Sequence, residues 1–350
     1  MDTPSALAFL GRQPTVRLAS TTPDGLPVLR TLHAVLIDGW LAFHSAPKGE
    51  KTGIVGRPAV VCADETVATV PSTFFDPERA CPATTFYESV QVHGLVAPID
   101  EPDAKARALQ ALMEKLQPGG GYIPITADHR HYRAPVRGLL IAGLRLDRVT
   151  GKTKLAQNRS PAERAALLTS LWQRGDGGDT RAIERIRAAN PDTPTPDFLR
   201  GPDGATLHAW LGDDAVAPAV AMLRGTYWND LFDDDTLGRG LRGSDAWVGA
   251  RDPSGRLVAT ARAVTDGAKR GHLYDVCVEP DWRGRGLGKA VVRLLLDHPR
   301  LRGCRILSLG TRDAQSLYTR FGFVDRAQLP PRPHASTDMV LDRSASLARR

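Results

Sequence analysis

Arg283-Gly284-Arg285-Gly286-Leu287-Gly288-Lys289 threads three cations through three glycines and runs directly into AVVRLLLDH. Leu287, Val291, Leu294 and Leu295 fall at i, i+4, i+7 and i+8, which predicts an amphipathic helix with the glycines at its first turn. A helix start leaves backbone N–H groups without partners and carries roughly half a positive charge. With no bulky side chains to hold a phosphate away, such an end is an anion site. Arg283, Arg285 and Lys289 place full charges around it. Spacing excludes two common phosphate loops. A Walker loop needs four residues before its Gly-Lys and then Ser or Thr, but only three separate Gly284 from Gly288, and Ala290 follows Lys289. A dinucleotide fingerprint would put a third glycine at Lys289 and an acid near Ser308. Upstream, His272 to Trp282 alternates apolar residues until Pro280, which predicts a half-buried strand feeding the loop. The plainer reading is a strand-to-helix turn whose glycines only permit positive φ.

Arg283, Gly286 and Gly288 stand in an Arg-x-x-Gly-x-Gly pattern, CRILSLG (Cys304 to Gly310) reads as a second strand, and Asp313 to Phe323 carries Tyr318 before a closing Gly-Phe. In that order the segment resembles the GNAT superfamily of acetyl-CoA-dependent N-acyltransferases. The resemblance implies that the loop from Arg283 through Gly284, Arg285, Gly286, Leu287 and Gly288 to Lys289 holds the pyrophosphate of acetyl-CoA. It also implies that Val276, Cys277 and Val278 pair through their backbone with the pantetheine arm. Tyr318 would then protonate the departing thiolate as general acid, although an aromatic on a short helix is more often packing. Acetylation needs the amine as its free base, so a carboxylate, histidine or water chain must take a proton. Asp275, on the strand that should line the cleft, is the leading candidate; Asp266, His272, Glu279 and Asp313 lie nearby in sequence.

These residues need a scaffold, and 350 residues are enough for two domains with separate cores. With 42% hydrophobic and 24% charged residues, the composition is that of a globular chain. The opening MDTPSALAFLGRQPTVRL has no basic segment followed by a long apolar run, and no stretch is apolar enough to span a bilayer, so the expectation is a cytoplasmic protein. Cys62, Cys81, Cys277 and Cys304 form no CxxC pair, which points to neither a zinc knuckle nor a disulfide framework. The net charge of +7 comes mainly from arginines spread along the chain, without a DNA-binding motif; nucleic acid is not the expected partner. Asn190 to Asp203 concentrates proline, aspartate and threonine and reads as a linker. The expected organisation is domain 1–195, linker 196–204, domain 205–342 and a tail at 343–350. Strand and helix signals over Thr206 to Tyr227, then a hairpin turning at Asp252 to Gly255, match the order in which a GNAT fold begins.

The first half changes to short strands. TVRLAST, VLRTLHAVLI and WLAFHSA are punctuated by Pro-Asp-Gly and Asp38-Gly39 turns, and AVVCAD, SVQVHGLVAPI and RGLLIAGLRLDRVTG follow. One helix, Asp103 to Gln117, interrupts them before a glycine-rich stop. The overall class is α+β: an N-terminal antiparallel split barrel with an inserted helix, then a mixed sheet. Leu36 to Gly53, Thr85 to Val96 and Asp103 to Gly121 together resemble the pyridoxamine 5'-phosphate oxidase-like split barrels, nitroimidazole-resistance proteins included. Lys152 to Arg164 looks like an FMN-binding regulator family. The resemblance implies FMN at a homodimer interface, with its phosphate met by His44, Ser45, Lys48, Lys51 and Thr52. Some relatives bind haem, which would make His44 or His93 an iron ligand. A solvated Lys48 to Lys51 loop and core histidines are the plainer alternatives. Ser160, Pro161 and Glu163 spell a capped helix whose stripe, Ala165, Leu168, Leu171 and Trp172, must bury against the barrel or a second subunit. Gln157-Asn158-Arg159 is either part of the cofactor cleft or a hinge, and His129 and His131 fall in an unpatterned loop.

Taken together, the expectation is a bifunctional enzyme in which a flavin-binding barrel performs redox chemistry on a small nitrogen compound and a GNAT domain acetylates an amine. The alternatives are a haem-dependent barrel, a flavin or haem sensor regulating the acetyltransferase or transcription, and a barrel that only dimerises. The acceptor pocket should involve Thr226 to Gly243, where Asp230 and Asp233 to Asp235 could attract a cationic amine or simply be solvated.

Overall fold

A computed structural model of the chain describes residues 1–48, 50–330 and 339. The expected 343–350 tail lies outside the described residues, as do Gly49 and the end of the expected second domain. The described residues divide into two units, Met1–Pro196 and the part from Asp197 on.

In the first unit the chain opens with α1 (Thr3–Arg12), a helix that inspection of MDTPSALAFLGRQ for targeting signals alone does not reveal. Asp2 caps it by accepting from the Ser5 N–H, and Ala6, Phe9 and Leu10 are buried. The strands are β1 (Val16–Thr21), β2 (Pro27–Leu32), β3 (Val35–Ile37), β4 (Trp40–Ser45), β5 (Pro58–Val70), β6 (Thr84–Leu95) and β7 (Ala97–Pro98). After α2 (Pro102–Leu116) and α3 (Arg133–Gly138) come β8 (Leu140–Arg145) and β9 (Val149–Lys154). They form two antiparallel sheets, ordered β2-β1-β5-β6-β9 and β3-β4-β8-β7. Phe9, Leu18, Leu41, Phe43, Val61, Val90 and Leu144 fill the space between them, and α2 covers a second cluster around Leu112 and Ile141.

Two helices, α4 (Pro161–Arg174) and α5 (Asp179–Ala189), close the unit. The capping box of α4 is present in both directions: Ser160 accepts from Glu163 N, and the Glu163 side chain accepts from Ser160 N. The buried stripe is shifted from the expected one to Leu167, Leu168, Leu171 and Trp172. It packs within this chain, with α5 against α4 and α5 against β5, so burying it requires no second subunit. Gln157 turns its amide onto Leu155 N and the Thr153 carbonyl, and Arg159 stacks 4.1 Å from the Phe75 centroid. Both contacts tie the β9–α4 connection.

The second unit contains β10 (Thr206–His208), α6 (Val216–Leu223), α7 (Asp234–Arg242), β11 (Ala246–Arg251), β12 (Leu257–Thr265) and β13 (Arg270–Val278). It continues with α8 (Leu287–Leu296), β14 (Ile306–Ser308) and α9 (Gln315–Thr319). The sheet order is β10-β11-β12-β13-β14, antiparallel except for the parallel pair β13–β14, so the sheet is mixed. On α8, Leu287, Val291, Leu294 and Leu295 are all buried, as their spacing requires, and Val292 joins them. Each such side chain contributes about 2 kcal/mol by leaving water, which anchors the helix that follows the glycine loop.

Two irregularities set β13 apart from a regular strand. Among the described residues it pairs with β14 only from Arg270 to His272, so the strands part beyond that point. On its other edge, Thr260 faces Cys277 and Arg262 faces Tyr274, an extra residue on β13. That bulge centres on Asp275, whose φ of 53° lies in the left-handed region. Aspartate tolerates this conformation better than most residues, and bulges turn side chains toward a new direction.

Candidate functional site

The parting of β13 and β14 opens a cleft of about 810 Å³, lined by 225–230, Phe232, Arg262, 272–278, Arg283, 309–314 and Tyr318. Several residues singled out by the sequence meet there: Asp275, Val276, Cys277, Val278, Arg283 and Tyr318. The backbone of Val276 to Val278 presents a strand edge with no neighbouring strand on the β14 side among the described residues. An extended chain laid beside such an edge has main-chain donors and acceptors to pair with.

At the C-terminal end of β13 sits the glycine loop. Gly284 and Gly286 have φ of 75° and 84°, so the expectation that all three glycines lie on the first helical turn is corrected. Gly286 is the N-cap and only Gly288 lies inside α8. The positive φ values bear out the turn reading of Gly284 and Gly286. The two positive φ values shape the turn into α8, whose first amides, those of Leu287, Gly288 and Lys289, have no side-chain cap. Asp2, Glu101, Ser160 and Asp233 cap the starts of α1, α2, α4 and α7, whereas α3, α5, α6 and α9 start without a side-chain cap, as α8 does. Arg283 donates from Nε to the Val278 carbonyl at 3.0 Å, fixing the loop to the strand end. Arg285 pairs with Asp203 at 3.6 Å and stacks on Trp282. Lys289 is exposed.

Tyr318 is buried at the cleft wall, with its ring edge-on to Phe323 at 5.9 Å. Burial, with Tyr227 adding to it, raises the phenol above its usual value, so it keeps its proton at neutral pH and suits a proton donor. The Cys277 thiol is also raised by burial and donates to the Met222 carbonyl, which leaves it a protonated packing group.

Asp275 is more constrained than the sequence suggests. Its Oδ2 accepts from Arg262 Nε at 2.5 Å, and its Oδ1 accepts from Trp228 Nε1 and Asn229 Nδ2, each at 3.1 Å. Both oxygens are engaged and the side chain is buried, so the carboxylate holds the bulge and the 226–232 loop together. His272 carries the better geometry for accepting a proton. Ser308 Oγ donates its only hydrogen to the Gly271 carbonyl at 3.4 Å and lies 2.9 Å from His272 Nδ1. In the tautomer in which Nδ1–H donates to Ser308, the lone pair lies on Nε2. Burial, then the Arg262 charge, lowers the His272 pKa, keeping the ring neutral.

The aromatic wall is what sequence reasoning misses. Tyr227, Trp228 and Phe232 sit within six residues of one loop, a clustering visible in the sequence but overshadowed by the acids of the same segment. Those acids have other work. Asp233 caps α7 through Thr236 N, Asp234 pairs with Arg224, and Asp235 pairs with Arg239 at 2.9 Å. Of the four, only Asp230 lines the cleft.

A family model described as "Acetyltransferase (GNAT) family" matches residues 205–323, and one described as "Pyridoxamine 5'-phosphate oxidase" matches residues 2–153. The chain joins a pyridoxamine 5'-phosphate oxidase-like domain to a GNAT acetyltransferase domain. The GNAT domain is similar to glucosamine 6-phosphate N-acetyltransferase 1 of Oryza sativa subsp. japonica, 34% identical over 87 residues covering 25% of this chain and 53% of that protein. Mycothiol acetyltransferase of Beutenbergia cavernae is 29% identical over 209 residues, 57% of this chain and 64% of that protein. This chain spans about half the length of the first curated relatives it matches. Among solved structures, the flavocytochrome Anf3 of Azotobacter vinelandii shares 16% identity over 44% of this chain and 67% of that one, at a TM-score of 0.37.

In the oxidase-like domain, β4 ends at His44 and Ser45, and a short turn of 3-10 helix at Glu50–Ile54 carries Lys51 and Thr52. Ser45 is buried, Lys51 half-buried, and Lys48 and Thr52 exposed. Burial, followed by the nearby Lys51 and His33 charges, lowers the His44 pKa. A strand end gathering a buried hydroxyl, a neutral imidazole and a close ammonium is a donor set that fits an anionic cofactor group. His93 lies on β6, in the other sheet from His44. His129 and His131 stack at 5.3 Å just before α3, and Tyr132 OH donates to the Ile123 carbonyl. Among the described residues, no helix is long and apolar enough to cross a membrane.

Proposed function

We propose that the GNAT domain transfers an acetyl group from acetyl-CoA to a small amine. The observation that supports this most directly is the open edge of β13 from Leu273 to Val278, in a cleft that is also lined by His272 before it and by Arg283, the first residue of the glycine loop, after it. The uncapped start of α8, with Arg283 and Lys289, takes the pyrophosphate. Val276 to Val278 pair with the pantetheine arm, which delivers the thioester beside Tyr318. The amine attacks the thioester carbonyl as its N–H proton passes to His272 Nε2. The C–N bond forms, the C–S bond breaks, and Tyr318 gives its proton to the departing sulfur, leaving an amide and CoA thiol. Asp275 is a positioning residue that fixes Arg262 and the acceptor loop.

For the oxidase-like domain the proposal is a flavin held through Ser45, Lys51, Thr52 and His44, with a small nitrogen compound as the redox substrate. Bound flavin would supply two-electron transfer, while the strand end orients its anionic tail. A homodimer through this domain and a cytoplasmic location belong to the same reading.

The test of the acetyltransferase is isothermal titration of the whole chain with CoA, beside the Arg283→Ala variant, followed by mass spectrometry of amines incubated with acetyl-CoA. Binding that weakens in the variant, with an acetylated amine as product, is the expected result. No CoA binding would overturn it. For the barrel, a visible spectrum taken before and after reductant should show flavin bands that bleach. A Soret band would replace flavin by haem, and a protein that takes up neither would refute both.

A further inference from the structure

The acceptor end of the cleft is built mainly of aromatic rings. Tyr227, Trp228 and Phe232 from the α6–α7 loop and Tyr274 from β13 line it, in a chain that is only 6% aromatic. They remain 37%, 39%, 52% and 41% exposed, large for such side chains in the wall of a cavity. Two of the polar ends are already used. Trp228 Nε1–H donates to Asp275, and Tyr227 OH accepts from Arg312 N at 2.8 Å. Tyr227 and Trp228 also meet edge-on at 4.8 Å, and Arg312 stacks on the Tyr227 ring at 3.9 Å. Arg262 lies 4.7 Å from the Tyr274 centroid and the His272 ring 4.4 Å from it, so Tyr227 and Tyr274 each carry an arginine on the ring, while no cation stacks on Trp228 or Phe232 among the described residues.

Charge at this end is nearly cancelled. Arg262 is taken by Asp275, and Arg312 lies 3.6 Å from Asp313. Arg283 is tied to the Val278 carbonyl, on the loop side of the strand. Asp230 is the lining carboxylate that no ion pair engages among the described residues. A phosphorylated acceptor would need cations without carboxylate partners, and a polyamine would need several acids spaced along the wall. The wall offers one acid outside an ion pair among the described residues, Asp230, and aromatic rings that attract both apolar groups and a single ammonium.

From these observations we infer that the acceptor is a primary amine on an aromatic body, of the arylalkylamine class, an inference that rests on the acetyl-transfer reading above. The ring packs among Tyr227, Trp228, Phe232 and Tyr274, and Asp230 draws in the ammonium. The amine gives its extra proton to solvent water before attacking the thioester, which leaves His272 free to take the second proton, released as the C–N bond forms.

The experiment compares initial rates of thiol release from acetyl-CoA with 2-phenylethylamine, tryptamine, glucosamine 6-phosphate and spermidine at equal concentrations. The expected result is a kcat/KM for the arylalkylamines at least about tenfold above the other two, the discrimination a fitted apolar pocket provides. Faster turnover of the phosphosugar or of spermidine overturns the acceptor class while upholding acetyl transfer. No turnover of any amine, with CoA still binding by calorimetry, also overturns it, and loss of CoA binding removes the acetyl-transfer reading as well. Phe232→Ala provides the second measurement, because Phe232 is half exposed and its removal leaves the core intact. It should raise the KM for 2-phenylethylamine about three- to tenfold, the worth of one aromatic contact, with the KM for acetyl-CoA unchanged. An unaltered KM for the amine would refute the placement.

Discussion

Replacing Arg262 with leucine removes the cation that faces the Asp275 carboxylate and leaves that carboxylate in place, with its side chain 4% exposed. The hydrogen bonds from Trp228 and Asn229 to Oδ1 survive, but Oδ2 loses its partner in a region that water hardly reaches. Stranding one member of a buried pair costs about 3–5 kcal/mol. At about 1.4 kcal/mol per factor of ten, that is about two to four powers of ten in the opening equilibrium. Because the chain has two units, a single melting curve would mix their transitions. Hydrogen exchange of the buried centre of β12, residues 258–263, isolates the GNAT domain, and its protection should fall by that factor. A companion variant, Arg262→Leu with Asp275→Asn, removes the stranded charge. Asparagine tolerates the positive φ at 275 and still offers Trp228 and Asn229 an acceptor, so much of the lost protection should return. A loss of less than about tenfold in the single variant, or a double variant no better than the single one, would show that the pair does not hold the bulge.

Acetyl transfer should decline in acid as His272 takes up a proton and loses its Nε2 lone pair. Burial and Arg262 hold its pKa below the ordinary 6.5, so the limb due to His272, read as kcat/KM corrected for the free-base fraction of the amine, has its midpoint below that value. His272→Gln should abolish the limb and lower kcat about 10²- to 10⁴-fold, whereas Asp275→Asn should retain it; a limb lost only in Asp275→Asn would make the carboxylate the base. His298 offers a stability counterpart. Burial, with Arg300 and Arg302 adding to it, lowers this histidine to about 4 from an unfolded value of 6.5. The unfolded chain thus binds the extra proton first. The stabilisation is present above pH 6.5 and is lost as pH falls through about 4, by about 3 kcal/mol in all. Exchange protection of α8 across that window measures it, and protection that stays constant after correction for intrinsic exchange rates would contradict the assignment.

Much of the architecture is written in local patterns. The four apolar positions of α8, the capping box of α4 and the Asp-Gly hairpins each depend on residues close in sequence, so their physics is visible without a fold. The glycine loop, to which the proposal gives the cofactor, is legible for the same reason: strand, loop and helix are consecutive. The N-terminal helix has an equally local cap, yet hydrophobicity alone, the property that marks a targeting signal, does not disclose it.

What tertiary structure alone decided is the acceptor end. Asp275 looks like an available carboxylate in one dimension, and only folding brings Arg262, Trp228 and Asn229 onto it from β12 and a loop more than forty residues upstream. His272 meets Ser308, on a strand that reaches it across a parallel crossover, and this contact underlies the proton-acceptor role proposed for it. The acids after Asp230 become caps and ion pairs, while the aromatics beside them become the wall. Hydrophobic periodicity and turn chemistry act over a few residues and leave their mark in the sequence. The protonation state and the partners of a buried polar group depend on neighbours that only the folded sheet brings within hydrogen-bonding distance.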